Sequence, residues 1–251
     1  MLQPPSKLLF ALEMRAIPEL GGFLASWPLL AAMTPRGDGH PVLVFPGLIT
    51  NDRATLPLRS FLRSKGYATH GWELGWNHGP RGDLEQRMLD RIRLLADRHG
   101  QKVSLVGWSL GGIYARQLAK VVPDLVRGVV MLGSPFNGSP RATNAWRLYE
   151  RKSGLSIDDR ENNIGGPIAP PPPVPTTAIY SRSDGVCAWQ TCFESEGPQA
   201  ESIEITASHC GIAHHPAAVF AVADRLAQPE GAWRPFQRTG ARSVFFPRPK
   251  P

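Results

Sequence analysis

Gly107-Trp108-Ser109-Leu110-Gly111 sets a serine between two glycines, each two positions away. The apolar run Val103-Ser104-Leu105-Val106 before it reads as a buried strand, and Ile113 to Val122 after it as a helix stopped by Pro123. A serine on so sharp a strand-to-helix turn occupies a strained backbone conformation in which flanking side chains would collide. The glycines relieve that crowding and leave Oγ projecting outward, while the helix N-terminus favours developing negative charge. Such a setting suits a covalent nucleophile. The competing reading is an incidental glycine-rich turn, and the flanking strand, the helix and an extra Gly112 argue against it.

The elements that must hold this serine alternate between strand and helix, the pattern of a mostly parallel sheet covered on both faces. Val42-Leu43-Val44-Phe45 is a strand ended by Pro46-Gly47, and Tyr67 to Trp72 is the next. Leu84, Met88, Ile92 and Leu95 recur at helical spacing until Gly100. Val129 to Leu132, Thr177 to Tyr180 and Ile203 to Thr206 are further strands. Pro216 to Leu226 is a helix with proline at its favoured first position. Regularity lapses over about 136–175, which holds a charged helical piece at Trp146 to Lys152 and the stiff run Pro170 to Pro173. At 251 residues the chain suits one domain, 1–251, with that stretch as a short cap-like insert and a basic tail at about 231–251.

VSLVGWSLGGIYARQLA followed by VVMLGSPFNG resembles bacterial α/β-hydrolases of the lipase and esterase type. The likeness extends from Val42 through GWELGWNHGP to SHCGIAHHPAAVFAVADRLA, most of the chain. It implies the α/β-hydrolase fold and a chain order of serine, acid, histidine. His40, His70, His78 and His99 precede Ser109 and fit that order poorly. His209 matches the family's base, with His214 and His215 as alternatives at the entry of the last helix. Asp184, in Ser183-Asp184-Gly185 just past a strand, is the expected acid, since Asp158 and Asp159 fall in the insert; a local Asp-Gly turn is its alternative.

An oxyanion hole needs two preorganised N–H donors. The Leu110 amide follows the nucleophile directly, and the Leu48 amide lies in Phe45-Pro46-Gly47-Leu48. Related lipases carry a histidine where Pro46 stands, so the support of that second donor is open, as is a plain Pro-Gly turn. Trp72, Trp76, Asn77 and His78 either line the pocket or pack beneath a loop. The expectation is a serine ester hydrolase acting on short- to medium-chain acyl esters without metal or cofactor. Its rivals are an acyltransferase with the same three residues and a silent hydrolase fold used for binding.

The net charge of +7 includes Arg234, Arg238, Arg242, Arg248 and Lys250 beyond Gly231, which leaves +2 elsewhere. That is a solvated or wrapping tail, and no motif supports a nucleic-acid partner. Glu13 and Arg15 interrupt the apolar run Leu8 to Leu12, which argues against a signal peptide, and no stretch is long enough to span a membrane. The segment Ile17 to Met33, broken by Pro18, Gly21, Gly22 and Pro28, reads as an amphipathic helix packed on the domain. Weak membrane-surface contact is its secondary reading. A cytoplasmic location follows, with Cys187, Cys192 and Cys210 as reduced thiols. The riskier alternative is a Cys192–Cys210 disulfide, because the loops carrying the acid and the base must meet.

Overall fold

Successive side chains of a strand point to opposite faces, and Pro41–Phe45 (β1) shows what this does here. Val42 and Val44 enter one apolar cluster, Leu43 and Phe45 the other. The same division runs through Val103–Trp108 (β3), Val126–Leu132 (β4) and Thr176–Ser181 (β5), and Ala68–Gly71 (β2) and Ala200–Ile205 (β6) lie at the two edges of the sheet. All neighbours pair in parallel, in the order β2-β1-β3-β4-β5-β6. The computed structural model describes residues 2–158, 165–240 and 242–248.

Helices cover both faces, as parallel sheets require. Leu84–His99 (α4) and Leu110–Val121 (α5) lie on one side; Ala16–Met33 (α2), Leu56–Ser64 (α3) and Pro216–Leu226 (α7) lie on the other. Lys7–Ala11 (α1), Trp146–Ser153 (α6) and Arg242–Phe245 (α8) complete the set. Residues 49–66 carried no sequence assignment, yet Leu58, Phe61 and Leu62 of α3 are buried at helical spacing. Helix α5 begins at Leu110, three residues before the apolar pattern, directly after the non-helical Ser109. Helix α2 continues through Pro28, its Phe23 and Trp27 clustered with Phe61 at ring separations of 5.1–6.0 Å.

The tail wraps the molecule. Phe236 and Phe246 are buried, the Phe236 amide donates to Glu201, and Arg238 donates to the Ser202 carbonyl, so this segment runs along β6. Lys250 lies outside the described residues. Cys187, Cys192 and Cys210 are free thiols. The alternative Cys192–Cys210 bond is not formed, since Cys192 is buried with Cys187 beside Tyr180 while Cys210 is exposed.

From β1 the chain runs to β2 on one side and later returns to β3 on the other. Adjacent β1 and β3 therefore send their outgoing loops apart, which opens a crevice at their C-terminal ends. The Pro46-Gly47-Leu48 loop and Ser109 both lie there.

Candidate functional site

Ser109 adopts φ 54° and ψ −121°, a conformation unfavourable to a side-chain-bearing residue. Its amide donates to the Leu132 carbonyl at 2.8 Å and its carbonyl accepts from Gly112 at 3.0 Å, so sheet and helix hold the strain from both sides. A Cβ on Gly107 would stand 2.3 Å from the Gly111 carbonyl oxygen, and one on Gly111 2.5 Å from that of Phe45. Both positions need glycine because backbone meets backbone there.

His209, on the loop after β6, presents Nε2 3.0 Å from Ser109 Oγ. Its Nδ1 lies 2.7 Å from Asp184 Oδ2, on the loop after β5. The other carboxylate oxygen of Asp184 accepts the amides of Val186 at 2.8 Å and Cys187 at 2.7 Å. Asp184 and His209 are both buried. Burial opposes the imidazolium, but the Asp184 charge, its hydrogen bond and the Glu13 charge outweigh it and raise the His209 pKa. Two further features position this residue. Trp108 Nε1 donates to the His209 carbonyl at 3.0 Å, and Gly133, at φ 56°, leaves space where a Cβ would stand 3.2 Å from Nδ1.

The alternatives are engaged elsewhere. His214 Nε2 bonds the Ala16 carbonyl, and His215 caps α7 through the Ala217 amide. Asp158 pairs with Arg141 on the surface, and Asp159 lies outside the described residues. Among the described residues one group could offer three metal ligands, namely Asp184, Cys187 and His209 within 4.8 Å. Its carboxylate and imidazole are already bonded to each other.

Leu48, Leu110 and Ser109 line one cavity of about 60 Å³. Leu110 opens α5, where N–H groups lack intrahelical partners. The support missing at Pro46 comes from Asn77. Its fully buried side chain donates to the Pro46 carbonyl at 2.9 Å, and its backbone carbonyl accepts the Ile49 amide at 2.6 Å. Ile49 itself has φ 53°, so the loop is strained and held by that bond. Trp72 is buried and donates to the Gly75 carbonyl, whereas Trp76 is exposed. Trp72, Trp76, Asn77 and His78 are not among the residues that line this cavity.

The insert supplies much of the cavity wall through Pro140, Thr143, Ala145, Trp146, Tyr149 and Ile157. It is tied to the acid loop, with the Asn144 amide on the Val186 carbonyl at 2.7 Å and its side chain on the Gly185 carbonyl at 2.8 Å.

Two features escaped sequence reasoning. The segment before β1 reaches both histidine and acid loops through Glu13, Arg15 and Glu19. Charges spaced within an apolar run were the signal. Far from Ser109 in the fold, a second array places His40 2.5 Å from Asp38 and 2.8 Å from Ser104 Oγ. Ser104 lies within β3, near its start, with its backbone in the sheet and no strand-to-helix turn beneath it.

The model of the alpha/beta hydrolase family matches residues 26–248. A triacylglycerol lipase from Burkholderia plantarii is 32% identical over 124 residues, which are 46% of this chain and 35% of that protein. Another, from Pseudarthrobacter phenanthrenivorans, is 32% identical over 117 residues, 43% of this chain and 37% of that protein. The matched part thus spans about a third of these relatives' length. Among solved structures, Aspergillus fumigatus lipase B superposes with a TM-score of 0.61 at 16% identity, over 81% of this chain and 58% of that one. A pyrethroid hydrolase from Sphingobium faniae gives 0.55 at 17% identity, over 76% of this chain and 99% of that one. At these identities the structural likeness speaks to the fold.

Proposed function

The chain belongs to the alpha/beta hydrolase family, and from that premise we propose that it is a serine carboxylic-ester hydrolase of the esterase or lipase type. The carrying observation is the hydrogen-bonded line Ser109, His209, Asp184, at 3.0 and 2.7 Å, opening on an apolar cavity. His209 takes the serine proton as Oγ attacks the ester carbonyl. Asp184 holds the ring and stabilises the imidazolium. The Leu48 and Leu110 amides receive the oxyanion. The alcohol departs with the proton from His209, and water activated by the same ring releases the acid.

The substrate we propose is a short- to medium-chain acyl ester. A cavity of about 60 Å³ walled by Trp146, Tyr149 and Ile157 suits a short acyl group. We read 1–251 as one domain whose insert at about 136–175 caps the site. Exposed Leu8, Phe10, Met14 and Ile17 near the acid loop support weak, peripheral contact with a membrane surface, from the cytoplasmic side. No helix among the described residues is long and apolar enough to cross a membrane.

The test is a hydrolysis profile over p-nitrophenyl esters of graded chain length, with Ser109→Ala as control. Maximal rates on short and medium acyl groups, abolished in Ser109→Ala, are expected. Full activity in that variant retires the assignment of the nucleophile. Preferential esterification of an added alcohol would make the protein an acyltransferase instead.

A further inference from the structure

We infer that Glu13 is a positioning residue for the reaction, a carboxylate that holds the acid loop and the base loop in register. The inference rests on the proposed roles of Ser109, His209 and Asp184.

Glu13 lies on the 3-10 turn Leu12–Arg15, between α1 and α2. It is buried, and its oxygens accept three backbone amides from two different loops. Oε1 takes Gly185 at 2.7 Å and His209 at 3.0 Å; Oε2 takes Cys210 at 2.8 Å. Gly185 follows the acid directly, and the other two amides are those of the base and its successor. One anion thus bridges the backbones that carry both partners of the 2.7 Å imidazole–carboxylate bond. Hydrogen bonds to an ionised acceptor are roughly twice as strong as neutral ones, and a carboxylate, which only accepts, fits three converging donors.

Its neighbours extend the grip. Arg15 donates to Ser183 Oγ and to the Ala207 carbonyl, each at 2.9 Å. Glu19 accepts the Ser208 amide at 2.8 Å. At Gly185 a Cβ would stand 2.2 Å from the Leu9 carbonyl oxygen, so this segment lies directly on the acid loop.

The charges that bear on His209 are Asp184 from the acid loop and Glu13 from the N-terminal turn. Cys187 lies close to both members of the pair, the Cys210 thiol is hydrogen-bonded to Glu13, and Arg15 and Glu19 stand behind them on Ser183, Ala207 and Ser208. Glu13 favours the imidazolium. Its neutralisation therefore lowers the pH at which the base becomes protonated, and Glu13→Asp, which keeps the charge, separates that effect from loosening of the two loops.

The readout is the rate at which a fluorophosphonate labels Ser109, together with kcat and KM on a p-nitrophenyl ester across pH. In Glu13→Gln, labelling and kcat should fall about 10- to 100-fold, since misplacement by about 1 Å costs up to about 10²-fold. KM should stay within about twofold, and the acid limb of kcat/KM should move to lower pH. Glu13→Asp keeps the charge but is one methylene too short for three bonds. Its rate should stay low while the limb returns toward the wild-type position. Labelling within twofold of wild type and an unmoved limb in Glu13→Gln overturn the inference. Should that variant fail to fold, a wild-type labelling rate in Glu13→Asp does the same. A wild-type protein that is labelled yet hydrolyses no ester retires the esterase reading and leaves the Glu13 comparison intact. A wild-type protein that is never labelled overturns both.

Discussion

At His209 two opposed effects meet. Burial disfavours the charged ring, the carboxylates of Asp184 and Glu13 favour it, and the balance lies above the ordinary value of 6.5. A general base works only when neutral, so activity should fall as pH drops, with the acid limb of kcat/KM above about 6.5. A pH–rate profile on a soluble ester checks this. Asp184→Asn keeps the shape of the side chain but favours the wrong tautomer of His209, and should lower kcat by roughly 10⁴. The Ser104–His40–Asp38 array, with a buried serine and histidine and an exposed carboxylate, makes a sharper test of what a nucleophile requires. It has the residue types and the bonds, but its serine lies within a strand. Ser104→Ala should therefore keep full fluorophosphonate labelling, and its loss would show that hydrogen bonding alone activates a serine here.

Among the elements, the loop after β1 owes its shape to a residue 31 positions later in the chain, Asn77. Asn77→Ala would leave the Pro46 carbonyl without that donor, while the backbone bond from Ile49 to residue 77 stays. The expected outcome is a fall in kcat of up to about 10²-fold with little change in KM, as a displaced oxyanion donor affects the transition state more than the ester. Steady-state kinetics on p-nitrophenyl esters separates the two. Gly47 beside it does a different job: a Cβ there would stand 3.2 Å from the Trp108 ring, so the loop packs directly on the serine turn.

Across the whole molecule, the strap leading from the insert into β5 is anchored by one buried cation. Arg116, on α5, is inaccessible to solvent and pairs with Glu194 at 2.6 Å while donating to the Ile168 carbonyl at 2.7 Å and to that of Ala169. Its guanidinium also lies 4.2 Å above the Phe136 ring. Arg116→Ala would strand the buried Glu194 carboxylate and two backbone carbonyls. Breaking a buried pair from one side costs about 3–5 kcal/mol, to be read as a lowered urea midpoint with an unchanged slope. The helix that presents Ser109 is thus the one that fastens the strap.

The sequence by itself determined the strand–helix alternation and the glycine-flanked turn at Ser109, and the resemblance, with its chain order, pointed from there to Asp184 and His209. These signals are local. Apolar periodicity reports burial within one element, and glycines around a serine report crowding within one turn. Helix α3 was missed because its Leu58, Phe61 and Leu62 make only a short pattern among Arg59, Arg63 and Lys65. Only the tertiary structure decided which groups hold the candidates in place. Glu13 and His209 are 196 positions apart, Asn77 and Pro46 31, and Arg116 and Glu194 78. Each is a polar side chain satisfying backbone or charge that another element leaves buried. That demand arises only once the layers close, so no spacing within one segment announces it.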